Sequence, residues 1–82
     1  MRINKIHYLK IQPEYYQAVT RGIKQFELRK DDRDYRAGDY VVLQEWDGEQ
    51  YTGRESFQML IKYVLRDCPE FGLKEGYCIL GF

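Results

Sequence analysis

The chain has 82 residues, with 13 basic and 13 acidic side chains, 44% apolar and 16% aromatic. A length of this order fits one domain over residues 1–82 with a thin core, because so short a chain buries only roughly 60–65% of its unfolded surface. Neutrality counts against a strong non-specific DNA binder, interspersed charges count against disorder, and no run approaches the ~20 apolar residues of a membrane helix.

The alternating stretch KIHYLKIQ (5–12) predicts a first strand. PEYYQAVTRG (13–22) predicts one short helix: Pro13 suits the first turn, Glu14 the positive end of the dipole, and Gly22 a C-terminal cap. Tyr15, Ala18 and Val19 share the face expected to meet the core. QFELRK (25–30) predicts a second strand with Phe26 and Leu28 toward the core and Glu27 and Arg29 on the other side. DDRDYRAGD (31–39) is a polar turn, YVVLQEW (40–46) a strand, and DGEQYTG (47–53) a hairpin connection with Asp47-Gly48 as its signal. RESFQMLIKYVLRD (54–67) is expected as the longest strand, with Phe57, Met59, Ile61, Tyr63 and Leu65 on one face. A loop and a closing strand, YCILGF (77–82), complete the order β-α-β-β-β-β. The fold expected is mainly β with one short early helix (α+β), its five strands forming a small, closed or nearly closed barrel.

Charge is unevenly placed. Residues 1–34 carry eight Lys/Arg against five Asp/Glu, and residues 35–82 carry five against eight. The densest segment is GIKQFELRKDDRD (22–34). Lys24 follows the capping glycine, and Glu27 and Arg29 lie on one face of a strand, about 6.5–7 Å apart. Two readings are open for this group. It is either a surface ion pair worth under ~1 kcal/mol, or a site in which the Arg29 fork and the Lys24 ammonium meet phosphate or carboxylate and Glu27 orients them or takes a proton.

Gly22, Lys24, Glu27 and Arg29 spell G-x-K-x-x-E-x-R. Placed after a short helix and before a strand, that pattern resembles the signature of the ASCH domain (activating signal cointegrator homology), a relative of the RNA-binding PUA domains. The stretch from Ile6 to Glu55 and the closing GYCILGF resemble small stand-alone ASCH-like proteins of bacteria and phages that have no established function. The resemblance implies a PUA-like barrel with a cleft between the helix and the sheet, floored by the motif residues, where RNA or a modified nucleoside is bound or acted on. ASCH-like amidohydrolases carry a threonine, their proposed nucleophile, where this chain has Glu27, so that acyl-transfer mechanism is not expected here.

The function expected is therefore an RNA- or nucleotide-binding module. Lys24 and Arg29 would contact phosphate, Glu27 would hold Arg29, and Lys30 and Arg33 would extend the rim. A hydrolase of RNA or a modified nucleoside, with Lys24 and Glu27 as acid/base groups, is the alternative, and a protein-interaction module is the third. Trp46 and Tyr51 flank the hairpin turn and can stack on bases or join the core. Tyr63 is expected in the core. His7, alone of its kind, is expected to pack or hydrogen-bond on the first strand. Asp31, Asp32 and Asp34 are interleaved with Lys30 and Arg33, which favours an ion-paired turn over a metal site, and Cys68, Cys78 and His7 lack zinc-ligand spacing. No cofactor or metal is expected. With two cysteines and no signal-peptide pattern, the expected setting is cytoplasmic, with reduced thiols.

Overall fold

A computed structural model describes residues 3–82; the expected domain span also includes Met1 and Arg2, which lie outside the described residues. The elements are strand β1 (Ile6–Ile11), helix α1 (Pro13–Thr20), β2 (Phe26–Lys30), β3 (Tyr40–Trp46), β4 (Tyr51–Glu55), β5 (Met59–Leu60), β6 (Tyr63–Leu65), a single 3₁₀ turn (Pro69–Phe71) and β7 (Tyr77–Gly81). The described residues are thus mainly β with one α-helix. Among the described residues no helix is long and apolar enough to cross a membrane.

The strands form two sheets, without a closed hydrogen-bonded ring among the described residues. In the first, β3 is central. It pairs in parallel with β1, from Ile6 opposite Tyr40 to Ile11 opposite Glu45, and antiparallel with β4 and β5, which follow one another along its other edge. In the second, β7 is central between β2 and β6, both antiparallel to it. The sheets meet at a corner two residues wide, Ile61 and Lys62. Ile61 donates its N–H to the Asp39 carbonyl beside β3, and Lys62 donates to the Gly81 carbonyl of β7.

That corner corrects the expected long strand over 54–67. An alternating pattern cannot continue unbroken where the chain leaves one sheet and enters the other. Ile61 is fully buried at the step, whereas Phe57 is 92% and Tyr63 66% exposed. Tyr63 is therefore a surface residue, contrary to its expected place in the core. The helix also presents Tyr16 and Val19 to the core and leaves Tyr15 exposed.

Leu9 and Ile11 of β1, Val41 and Leu43 of β3, and Cys78 and Leu80 of β7 fill the space between the sheets, joined by Val19, Tyr35 and Ile61. His7 lies near the start of β1, its Nε2 2.9 Å from Asp39 Oδ2 and its ring 4.7 Å from that of Tyr35. Asp39 also accepts the backbone N–H groups of Lys5 and Arg36. The turn over residues 31–35 is pinned by Arg66, which binds Asp31 through two nitrogens (2.6 and 3.1 Å) and donates to the Tyr35 carbonyl. The Asp31 carboxylate in turn raises the pKa of Arg66.

Both cysteines are free thiols and both are buried. Burial, helped by the nearby Asp31 carboxylate, pushes the Cys78 thiol up to about 11 from an ordinary value of 9.0. Burial also raises the Tyr35 hydroxyl, against the opposing charges of Arg29 and Arg33. The unfolded chain therefore ionises first, and the associated stability is complete below pH 9 and is lost as pH rises toward 11. Urea titrations should show stability falling across that interval. Cys78→Ala should flatten the fall, leaving a residual slope above pH 10 from Tyr35.

Candidate functional site

The site begins with the end of α1. Gly22 sits at φ +73°, and its N–H reaches the Val19 carbonyl while that of Ile23 reaches Ala18, both at 3.0 Å. This is a Schellman closure, which needs a left-handed residue at the position of Gly22. It turns the chain so that Lys24 comes back over the start of β2. There the Lys24 ammonium donates to the Phe26 carbonyl (2.7 Å) and contacts Glu27 Oε1. On the other side Arg29 Nη1 donates to Glu27 Oε2 (3.0 Å) and to the Lys10 carbonyl of β1 (2.7 Å).

The facing of β2 is the reverse of that expected. Glu27 is 6% exposed, and Phe26 and Leu28 are 48% and 55% exposed. The reversal has an electrostatic reason. A carboxylate can be taken from water when cations and hydrogen bonds replace its hydration, and Glu27 has a cation on each oxygen. The group is thus a partly buried network rather than a surface pair.

These residues line a cleft of about 420 Å³ at the gap between the facing edges of β1 and β2. Its walls include Lys10, Ile11 and Tyr15 on one side and Lys24, Phe26, Glu27, Leu28 and Arg29 on the other. Three cations and one carboxylate leave an excess of two positive charges. The Lys24 ammonium lies 4.9 Å from the centre of the Phe26 ring and 5.6 Å from that of Tyr15, within cation–π range.

The remaining candidates are distributed around this cleft. Arg33 is exposed and donates to the Tyr8 carbonyl (2.9 Å), one rung along the same β1 edge that Arg29 grips. Lys30 faces outward from β2 and takes no part in the cleft lining. Trp46 and Tyr51 pair across the β3–β4 hairpin, edge to face, with centroids 5.0 Å apart. The hairpin itself is held by Asp47, whose carboxylate accepts the N–H groups of Gln50 and Glu49 and has its pKa lowered by them. Asp31 is engaged by Arg66 and Asp34 by Arg36. Among the described residues no group of three or more His, Cys, Asp or Glu side chains could hold a metal ion.

Lys10 was not among the expected site residues. Its ammonium stands 3.9 Å above the Trp46 ring, and the same side chain lines the cleft, so it connects the two. The signal was present: Lys10 alternates with the buried Leu9 and Ile11 and must face outward. Glu45 was also missed. It is buried on β3, accepts the Thr52 hydroxyl at Oε1, and leaves Oε2 without a hydrogen-bond partner among the described residues.

A family model described as a domain of unknown function, DUF3850, matches residues 6–82. The chain belongs to this family. The match includes every residue of the cleft. The chain is also similar to an uncharacterized 12.9 kDa protein, in the GpA 3′ region, of Escherichia phage P2, with 43% identity over 51 residues. Those residues are 62% of this chain and 47% of the phage protein, so the chain spans about half the length of that relative.

Two substitutions test the site's construction. Gly22→Ala meets no atom within 4 Å, so its cost is that of the left-handed backbone alone; it should destabilise by about 1 kcal/mol in chemical denaturation. Glu27→Ala leaves two cations unmatched and should cost about 2–3 kcal/mol, less than a fully buried pair because both cations retain some contact with water.

Proposed function

We propose that the chain is an RNA- or nucleotide-binding module and that the β1–β2 cleft is its binding site. The observation that carries this reading is the excess of cations over one buried carboxylate in a cleft walled partly by aromatic rings. Glu27 fixes Lys24 and Arg29 in place before any ligand arrives. Among the described residues Arg29 bonds through Nη1 alone, which leaves Nη2 and Nε for a phosphate. Lys10 adds a third charge at the rim, and Tyr15 and Phe26 offer faces on which a base can stack. Trp46 and Tyr51, held by Lys10, would extend the surface, and Arg33 would extend the basic rim. Lys30 has no part in this reading.

The resemblance to ASCH and PUA-like domains supports the same conclusion. In that reading the two sheets are a small barrel, joined by backbone at the Ile61–Lys62 corner and, on the opposite side, by Arg29 and Arg33 reaching the β1 carbonyls. The setting would be the cytoplasm of a bacterium, or of one infected by a phage. A second reading, a hydrolase of RNA or a modified nucleoside, is favoured by one contact. The Lys24 ammonium and the Glu27 carboxylate touch inside the cleft, so a substrate held there would have a proton donor and a proton acceptor within reach.

Fluorescence polarisation with labelled single-stranded, hairpin and tRNA-like RNAs tests the proposal. Affinity should fall with salt, with a slope of about −0.7 per phosphate contacted on a single strand. Lys10→Ala should reduce that slope, and Arg29→Ala should abolish binding. RNA cut during the assay, and left intact by Lys24→Ala, would put the hydrolase first. Absence of binding at low salt would overturn the RNA reading and leave a nucleotide ligand, tested by isothermal titration with mononucleotides, or a protein partner.

A further inference from the structure

The second sheet has an outer face that the described residues leave largely open. The register places Phe26, Gly81 and Tyr63 in one row across the three strands, and Leu28, Ile79 and Leu65 in the next. Phe26, Leu28, Tyr63 and Leu65 are all exposed. In the first row a glycine separates two aromatic residues. With no side chain on Gly81, the space between Phe26 and Tyr63 has backbone for its floor.

The width of that space is set by sheet geometry. Strands two apart are about 9.5 Å from one another. One planar ring in van der Waals contact with a ring on each side needs about 7–8 Å. The row therefore has room for one flat, aromatic group and some tilt. Its position adds a second constraint. Phe26 and Leu28 line the cationic cleft as well as beginning this face, because β2 is the edge strand between the two. A chain with a phosphate at Arg29 or Lys24 that passes over β2 arrives at the Phe26–Tyr63 row. A molecule carrying anionic groups and flat rings in alternation fits both features, and single-stranded RNA has that chemistry.

We propose that single-stranded RNA leaves the cleft across β2 and that one of its bases inserts between Phe26 and Tyr63 above Gly81. This rests on the RNA-binding reading of the cleft and adds a base site to it. The site is not selective by hydrogen bonding, since its walls are rings and its floor is backbone already used in the β2–β7–β6 ladder. It favours bases by stacking area, purines over pyrimidines.

Gly81 supplies the test. A Cβ there would lie 3.7 Å from the Tyr63 carbonyl oxygen and 3.9 Å from Tyr63 Cβ, ordinary contacts, so the position accepts a side chain. Gly81→Val fills the slot without removing a ring, and Tyr63→Ala removes a wall at an exposed position. Both would be measured with the full chain against labelled oligo-A and oligo-U, with urea denaturation to verify folding. Each variant should weaken oligo-A binding roughly tenfold and oligo-U binding less, with the salt slope unchanged, because the phosphate contacts remain. Lys10→Ala, in contrast, should lower the slope. Wild-type affinity retained in both slot variants, together with loss in Arg29→Ala, would overturn the slot and leave the cleft reading standing. Loss in the slot variants with no effect of Lys10→Ala or Arg29→Ala would overturn the cleft reading and with it the path from cleft to slot, leaving a stacking site on its own. If no RNA binds and sedimentation shows dimers that Gly81→Val dissociates, the face is a contact between copies of this chain and the proposal fails.

Discussion

An inward-facing carboxylate on the edge strand of a small sheet must be neutralised, and the manner in which Glu27 is neutralised organises the structure around it. One cation comes from the turn that ends the helix, and it arrives there because Gly22 allows the chain to reverse. The other comes from Arg29, two residues along the same strand and on the same side. Arg29 then continues to the Lys10 carbonyl of β1, so the group that satisfies Glu27 also ties one sheet to the other. The end of α1, the facing of β2 and the spacing of the β1–β2 gap are thus set together.

The cost appears on the opposite side of β2. Because period-2 alternation gives a strand two faces, bringing Glu27 and Arg29 inward turns Phe26 and Leu28 outward. A strand that exists only to close a core would do the opposite. Charge inside and apolar side chains outside is an inversion of the kind that proteins keep where a local rule yields to a site, and here both consequences open onto the same cleft.

The sequence made much of this legible, and the failures have definite causes. Pro13 and Gly22 marked the helix ends, Asp47-Gly48 marked the hairpin, and the motif spacing gathered Lys24, Glu27 and Arg29. The direction of β2 was not legible, because alternation tells which residues share a face and not which face is inside. Hydrophobicity then suggested Phe26 and Leu28 as core, and only the paired cations reverse that choice. Residues 54–67 read as one strand because the apolar alternation runs on through Ile61, where the chain changes sheets. The His7–Asp39 pair and the Thr52–Glu45 bond join residues that no local pattern connects. Lys10 could have been found from its place between Leu9 and Ile11, but its value depends on the Trp46 ring lying beneath it.

The position of β2 in the second sheet also bears on how the molecule is made. Its partner is β7, with Phe26 opposite Gly81, more than fifty residues along the chain. The helix and the turn at Gly22 can form early from neighbouring residues, but β2 has no strand to join until residues 77–81 are available. Closing so long a loop is slow, because its entropy must be lost before the contacts form. During synthesis the first sheet can assemble while β2 waits, its apolar side chains and charges both in water. The cleft is therefore among the last features to appear, and a protein able to bind there is one whose folding is complete.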